Sequence, residues 1–263
     1  ITQYFPSRHA AIGEEIFRVE GLSRTGFFKD VSFSVRRGEI LALTGLVGAG
    51  RTEICESIYG ISPHDAGRLF LEGKEISIHT PADALSYGIG YLPEDRLKQG
   101  LVLDWDIIRN ITLASLKHFC RRGFMQPSQE KEIALRLTES LKVKTSHIYA
   151  KASTLSGGNQ QKLIVAKLLT SKLKLIILDE PTKGVDVGAK TEIYRIMNQL
   201  AEEGYGIIMI SSEMPEVMGM SDRIVVIREG RKSAEFETSK ATQEAILEAA
   251  MTAHGREAHA IAG

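Results

Sequence analysis

LSGGNQQK at residues 155–162, followed by LIILDEPT at residues 175–182, decides the fold of this 263-residue chain. The first run places a serine and two glycines ahead of a polar, helix-like stretch. The second is a buried strand ending in two adjacent carboxylates, Asp179 and Glu180. A third element lies upstream, GLVGAGRT at residues 45–52, which has the spacing of a phosphate-binding loop with Arg51 where lysine is usual. Glycines suit such a loop because its backbone N–H groups must point inward at phosphate oxygens. The helix starting near Gly50 adds the positive end of its dipole. Thr52 would offer its hydroxyl to a magnesium ion. Arg51 keeps the charge of lysine, but a planar guanidinium is not a compact ammonium. Glu53 adds a negative charge in the first helical turn. Taken alone, the loop reads equally well as a structural strand-loop-helix turn.

Working outward, strand-like runs fall at residues 17–22, 31–35 and 40–44. The second alternates apolar and polar residues, and the third is continuously apolar, as a buried parallel strand is. Helical spacing follows over 51–59. Residues 68–76 read as strand with a turn at Gly73, and 89–92 as a short buried strand stopped by Pro93. From 107 to 143 the periodicity is helical, interrupted at Gly123 and Pro127. Strands at 175–178, 207–210 and 224–227 alternate with a helix over about 187–201, which predicts a mostly parallel sheet covered by helices. The tail after Thr242 is rich in Ala and Glu and reads as a fraying helix. The domain expectation is a linker over 1–13 and one domain over 14–263. Within that domain, about 96–155 would form an inserted helical subdomain and about 242–263 a helical tail.

These motifs together resemble the nucleotide-binding domain of an ATP-binding-cassette (ABC) protein. The resemblance implies an α/β P-loop NTPase fold, with a mostly parallel sheet, an antiparallel β subdomain and an inserted helical subdomain. It also implies ATP and Mg²⁺ as ligands. The nucleotide would be held by Gly45, Gly48, Ala49, Gly50, Arg51, Thr52, Glu94, Asp179 and Ser212. Of these, Thr52, Glu94 and Asp179 would meet the metal, and Glu180 would be the catalytic base. Glu94, in GIGYLPE, stands where the family has glutamine; Ser212, in ISSE, stands where it has histidine. Gly26 falls near the place of the adenine-stacking aromatic; Phe27 or Phe28 could substitute, and either could equally be core. In ABC dimers each ATP lies between one half's phosphate loop and the other half's signature. Ser156, Gly157, Gly158 and Gln160 would therefore act on the partner's ATP, with Asp186 in the loop between halves. Three altered phosphate contacts beside an intact signature imply a weakened own site.

GLVGAGRTE, YLPEDR, LSGGNQQK and DEPTKGVDVGAK as a set are similar to the second, C-terminal ATPase half of bacterial tandem-cassette monosaccharide importers of the ribose, galactose and xylose type. The implied partners are an upstream ATPase half in the same polypeptide, membrane permease subunits and, indirectly, a sugar-binding protein. The implied location is peripheral, at the cytoplasmic face of the cell membrane. The permease would dock near 94–105, where Trp105 reads either as a contact or as core.

Lys plus Arg and Asp plus Glu both number 33, so the charge balances. That removes the basic field of a general nucleic-acid binder, and no nucleic-acid partner is expected. Cys55 and Cys120 have no metal-type spacing and read as reduced thiols. No apolar run approaches the ~18 residues of a membrane span, and no signal-peptide pattern opens the chain. Two other readings stay open: a nucleotide-binding scaffold without turnover, and a non-transport ABC ATPase acting on DNA or ribosomes.

Overall fold

The computed structural model describes residues 5–121 and 123–251. An antiparallel sheet in the order β2-β1-β4-β5 contains β1 (Glu15–Arg24), β2 (Phe28–Arg36), β4 (Ala66–Leu71) and β5 (Lys74–Ile76). A six-stranded sheet contains β3 (Ile40–Thr44), β6 (Ile89–Leu92), β9 (Leu175–Asp179), β10 (Gly206–Ile210), β11 (Arg223–Arg228) and β12 (Arg231–Glu237). Its order is β12-β11-β3-β10-β9-β6, parallel throughout except for the edge pair of β12 on β11. Around these pack α1 (Arg51–Tyr59), α2 (Pro81–Tyr87), α3 (Ile107–Thr112), α4 (Pro127–Ser140), α5 (Gly157–Leu169), α6 (Val187–Glu202), α7 (Met214–Met220) and α8 (Gln243–Met251).

β3, β9 and β10 are buried at every position, which is why their sequences are continuously apolar rather than alternating. The period of two sends alternate residues into two cores. Leu41, Leu43, Ile177 and Ile208 join Ile54 of α1 and Phe17, Val31 and Leu69 of the antiparallel sheet. Ala42, Ile176, Leu178 and Met209 join Leu163 and Ile164 of α5 and Ile193 and Met197 of α6. The ends of β3, β9 and β10 reach the same rim, so the loops that follow them are neighbours.

The turn expected at Gly73 divides residues 68–76 between β4 and β5, with positive φ at both Glu72 and Gly73. The structure departs from the sequence reading in three places. The helical run at 107–143 is broken. After α3 comes a 3-10 stretch, Leu113–Phe119, then a hairpin of β7 (Cys120–Arg121) and β8 (Phe124–Met125), and only then α4. α2 and α7 were not anticipated, because they are short and bury few apolar side chains. β12 was missed because no position along it is fully buried.

Residues 5–12 of the expected linker lie along the body. The Phe5 ring packs on Tyr194, Asn198 Nδ2 donates to the Pro6 carbonyl at 3.0 Å, and Arg8 donates to Asp222 and to the Gly38 carbonyl. Residues 1–4 and the tail at 252–263 lie outside the described residues; within the tail expectation, α8 packs Ile246, Ala249 and Ala250 into the core. Among the described residues no helix is long and apolar enough to cross a membrane.

Candidate functional site

The loop 45–50 connects β3 to α1 in the conformation that its glycines permit. Gly45 has φ 152, and a Cβ there would lie 2.1 Å from the Ile227 carbonyl oxygen. Gly50 caps α1 in the left-handed region at φ 98, with no side chain to satisfy the first-turn amides. Those N–H groups open onto a cleft of about 280 Å³ lined by residues 47–53, Glu94, Glu180, Lys183 and Ser212. The sequence-predicted residues Gly48, Ala49, Gly50, Arg51, Thr52, Glu94, Glu180 and Ser212 thus meet in one place. Gly45 shapes the loop from behind, and Asp179 lies beneath the cleft.

Asp179, the last residue of β9, is fully buried. Tyr91 of β6 donates its hydroxyl to Asp179 Oδ2 at 2.9 Å, while Oδ1 makes no well-formed hydrogen bond. Burial pushes the Asp179 carboxyl up to about 6; the Tyr91 and Thr52 hydroxyls pull it down, and the Glu94 and Glu180 carboxylates raise it further. A buried carboxylate oxygen without a partner, beside the Thr52 hydroxyl, fits a divalent cation. No group of three or more His, Cys, Asp or Glu among the described residues could hold a metal. Mg²⁺ binds through one or two side chains together with substrate phosphates, and Thr52 and Asp179 are the residues that would hold it here.

Glu180 leaves the strand with φ 48, a region rare for residues with a Cβ, and its N–H donates to the Ile210 carbonyl at 3.0 Å. Its carboxylate lies 3.7 Å from Arg51 Nη1. Arg51 itself is only 8% exposed and donates to the Ser211 carbonyl at 2.9 Å. The guanidinium therefore joins Glu180 to the turn after β10, rather than reaching freely into the cleft. Ser211 is also held by the buried Glu216, which accepts its hydroxyl and that of Thr182, the latter at 2.9 Å. Burial raises the Glu216 carboxyl. Glu94 at the opposite wall is ion-paired with Lys183, whose ammonium is raised chiefly by that hydrogen bond. Phe28 is core, whereas Phe27 is 49% exposed under the Arg24 guanidinium, with its carbonyl beside Gly50. Trp105 is 39% exposed.

The signature forms a separate cleft of about 230 Å³, lined by Lys144, Ser156, Gly158, Asn159, Asp186 and residues on α6. It shares no lining residue with the first cleft. Ser156 is the exposed N-cap of α5, and its Oγ accepts from Asn159 Nδ2 at 2.8 Å. Gly158 lets α5 meet α6, since a Cβ there would lie 2.5 Å from that of Ala189. Asp186 caps α6 by accepting from the Ala189 N–H at 3.0 Å. Gln160 is placed apart from this exposed face: it is buried and donates to the Ala152 carbonyl at 3.3 Å.

The family model for the ABC transporter matches residues 28–183. This chain belongs to the ABC transporter family. It is similar to the ribose import ATP-binding protein RbsA of Geobacillus kaustophilus, with 47% identity over 250 residues, covering 95% of this chain and 51% of the relative. A putative ribose/galactose/methyl galactoside import ATP-binding protein of Rhizobium etli is 47% identical over 254 residues, covering 97% and 48%. The chain thus spans about half the length of the curated relatives it matches. A nucleotide-free ATP-binding cassette from an ABC transporter superposes with a TM-score of 0.71 at 25% identity, covering 85% of this chain and 92% of that one. The ABC cassette fold is also shared with a dimeric cassette bound to ADP and Pi (TM-score 0.73, 19% identity, covering 85% and 99%).

Tyr91, Lys183 and Glu216 join the site only in the folded structure, as does Arg96, which donates to the Lys183 carbonyl at 2.8 Å. Tyr91 and Lys183 sit inside quoted motifs, so their placement next to Asp179 and Glu94 was the missing signal. Glu216 lies on α7, which carries little apolar signal, and only the fold buries it.

Proposed function

We propose that this chain is the second ATPase half of a bacterial tandem-cassette monosaccharide importer, at the cytoplasmic face of the cell membrane. It would couple ATP binding and hydrolysis to permease movement while completing the upstream half's active site. One observation carries the reading, the asymmetry between the two clefts. In the phosphate-loop cleft, Arg51 is buried against Glu180 and Ser211, and Glu94 is held by Lys183. The signature cleft instead presents an exposed Ser156 hydroxyl at the open N-terminus of a 13-residue helix. A developing γ-phosphate charge is stabilised by such a helix end. The half-length match to import ATP-binding proteins supports a tandem partner.

In the chain's own cleft the α1 amides would hold phosphate oxygens, and Thr52 and Asp179 would hold the magnesium, which neutralises phosphate charge when bound. Glu180 would orient and deprotonate the attacking water only after Arg51 releases it. Lys183, ion-paired with Glu94 and 61% exposed in its side chain, would turn toward phosphate on leaving that pair. Ser156→Arg in the intact transporter tests the reading. ATPase activity should fall at least tenfold, as for the loss of an oxyanion donor, roughly 10²-fold; unchanged activity would refute it. The non-hydrolysing scaffold remains the second reading, favoured by the Arg51–Glu180 pair. Near-normal sugar uptake by Glu180→Gln would select it.

A further inference from the structure

Between the two clefts runs a single loop. Glu180 and Lys183 line the phosphate-loop cleft, and Asp186, Gly188 and Ala189 just beyond them line the signature cleft. Its midpoint is gripped by one side chain from elsewhere. Arg96, in the turn after β6, donates through Nη1 to the Lys183 carbonyl at 2.8 Å and through Nη2 to the Gly184 carbonyl at 3.2 Å. Its third arm, Nε, reaches Gln160 Oε1 at 3.4 Å on α5. The guanidinium also packs against the signature itself, for a Cβ on Gly157 would lie 2.7 Å from Nη2.

The element that carries Arg96 is tied down at both ends. Residues Arg96–Gly100 form one turn of wide, π-type helix, capped by the Asp95 carboxylate accepting from the Leu97 and Lys98 amides at 3.2 Å each. Such turns are rare and recur at functional positions. The far end of this turn is fixed to the same helix: Lys167 Nζ donates to the Gly100 carbonyl at 2.5 Å, and Gly100 lies against the Ile164 side chain. A displacement of the turn therefore cannot leave the loop or the signature helix behind.

We infer that Arg96 is a positioning residue that locks the 180–186 loop and the signature end of α5 into one register, so that the chain's two nucleotide-facing clefts move together with the turn after β6. The inference rests on the proposed shared-site function and adds the residue that links its halves. Guanidinium chemistry is required, because a planar fork reaches two carbonyls and a side-chain amide at once, and an ammonium on a flexible stem does not. Neither Glu180 nor Ser156 touches Arg96; it acts on both through the segments that carry them.

The test is steady-state MgATP hydrolysis by the intact transporter, with kcat, KM and the unfolding temperature measured for each variant. Arg96→Lys should lower kcat about tenfold, within the range usual for coupling between sites, with KM and unfolding temperature near wild type. Gln160→Leu removes one arm only and should lower kcat by less, again without moving KM. A purely structural role would instead lower the unfolding temperature and move KM and kcat together, and that result would overturn the inference. Ser156→Arg distinguishes the two levels. If it abolishes turnover while Arg96→Lys and Gln160→Leu leave kcat intact, the inference alone falls. If Ser156→Arg leaves turnover intact, the shared-site reading falls and takes the inference with it.

Discussion

Asp179→Asn should stabilise the nucleotide-free protein while abolishing its response to magnesium-nucleotide. Asp179 is fully buried, and burial raises its carboxyl from 3.8 to about 6. The folded state therefore holds this proton more tightly than the unfolded state does. Stability contributed by the group falls as pH rises from about 4 to about 6 and stays low above that. At ~1.4 kcal/mol per pH unit, the ionised carboxylate costs the fold at most about 3 kcal/mol at neutral pH. Asparagine keeps an oxygen to accept from Tyr91 but leaves a buried amide N–H₂ poorly paired, a cost of about 1–2 kcal/mol. The net gain is about 1–2 kcal/mol, or roughly 3–6 °C in unfolding temperature for a domain of this size. The assay is thermal unfolding of wild type and variant across pH 4 to 8, with and without MgATP. The variant should gain at pH 7.5, lose that gain at about pH 4, and show little added stabilisation by MgATP. Equal or lower stability at pH 7.5, or a gain unchanged at pH 4, would refute the argument that desolvation of Asp179 dominates.

Arg51→Lys should free Glu180 and place a compact ammonium at the phosphates; one charge-assisted contact of about 1.5 kcal/mol corresponds to roughly tenfold tighter MgATP binding, measurable by fluorescent-nucleotide titration. Gly158→Ala drives a methyl to 2.5 Å from Ala189 Cβ and should cost about 1–3 kcal/mol by overpacking; an unshifted urea midpoint would count against the close approach of α5 and α6. Glu216→Leu strands the buried Ser211 and Thr182 hydroxyls and should destabilise by about 2–5 kcal/mol. Glu216→Gln, which keeps an acceptor, should cost far less in the same denaturation series.

The central strands were legible because both their faces are covered, which forces continuous apolar runs over 40–44, 175–178 and 207–210. The first turn of α2 did carry a signal, Thr80 and Asp83 forming a capping box with Pro81 between them, but only Ala84 is buried on it. β7 and β8 were read only as an interruption at Gly123 in a helical run, because the side chains of Cys120, Arg121, Phe124 and Met125 are exposed and impose no alternation. The positions of Ser156, Asp179, Glu180 and the glycine loop were legible because each sits at a fixed step from the end of a recognisable element. Order along the chain, which the sequence states directly, sets those positions.

What the sequence left undecided was every property set by residues far apart in the chain. Arg51 reads as a phosphate ligand in its motif, yet the fold buries it against Ser211, 160 positions away. Glu94 reads as a metal ligand, yet Lys183 covers it. Asp179 shows only its place at a strand end in the sequence; the closed core around it raises its proton affinity, against the Tyr91 hydroxyl that lowers it. Motif spacing fixes which groups arrive at the rim of the parallel sheet. Their partners, burial and charge state come from the packing of β6, β9 and β10 side by side, because desolvation and ion pairing depend on distance in space and not on distance along the chain.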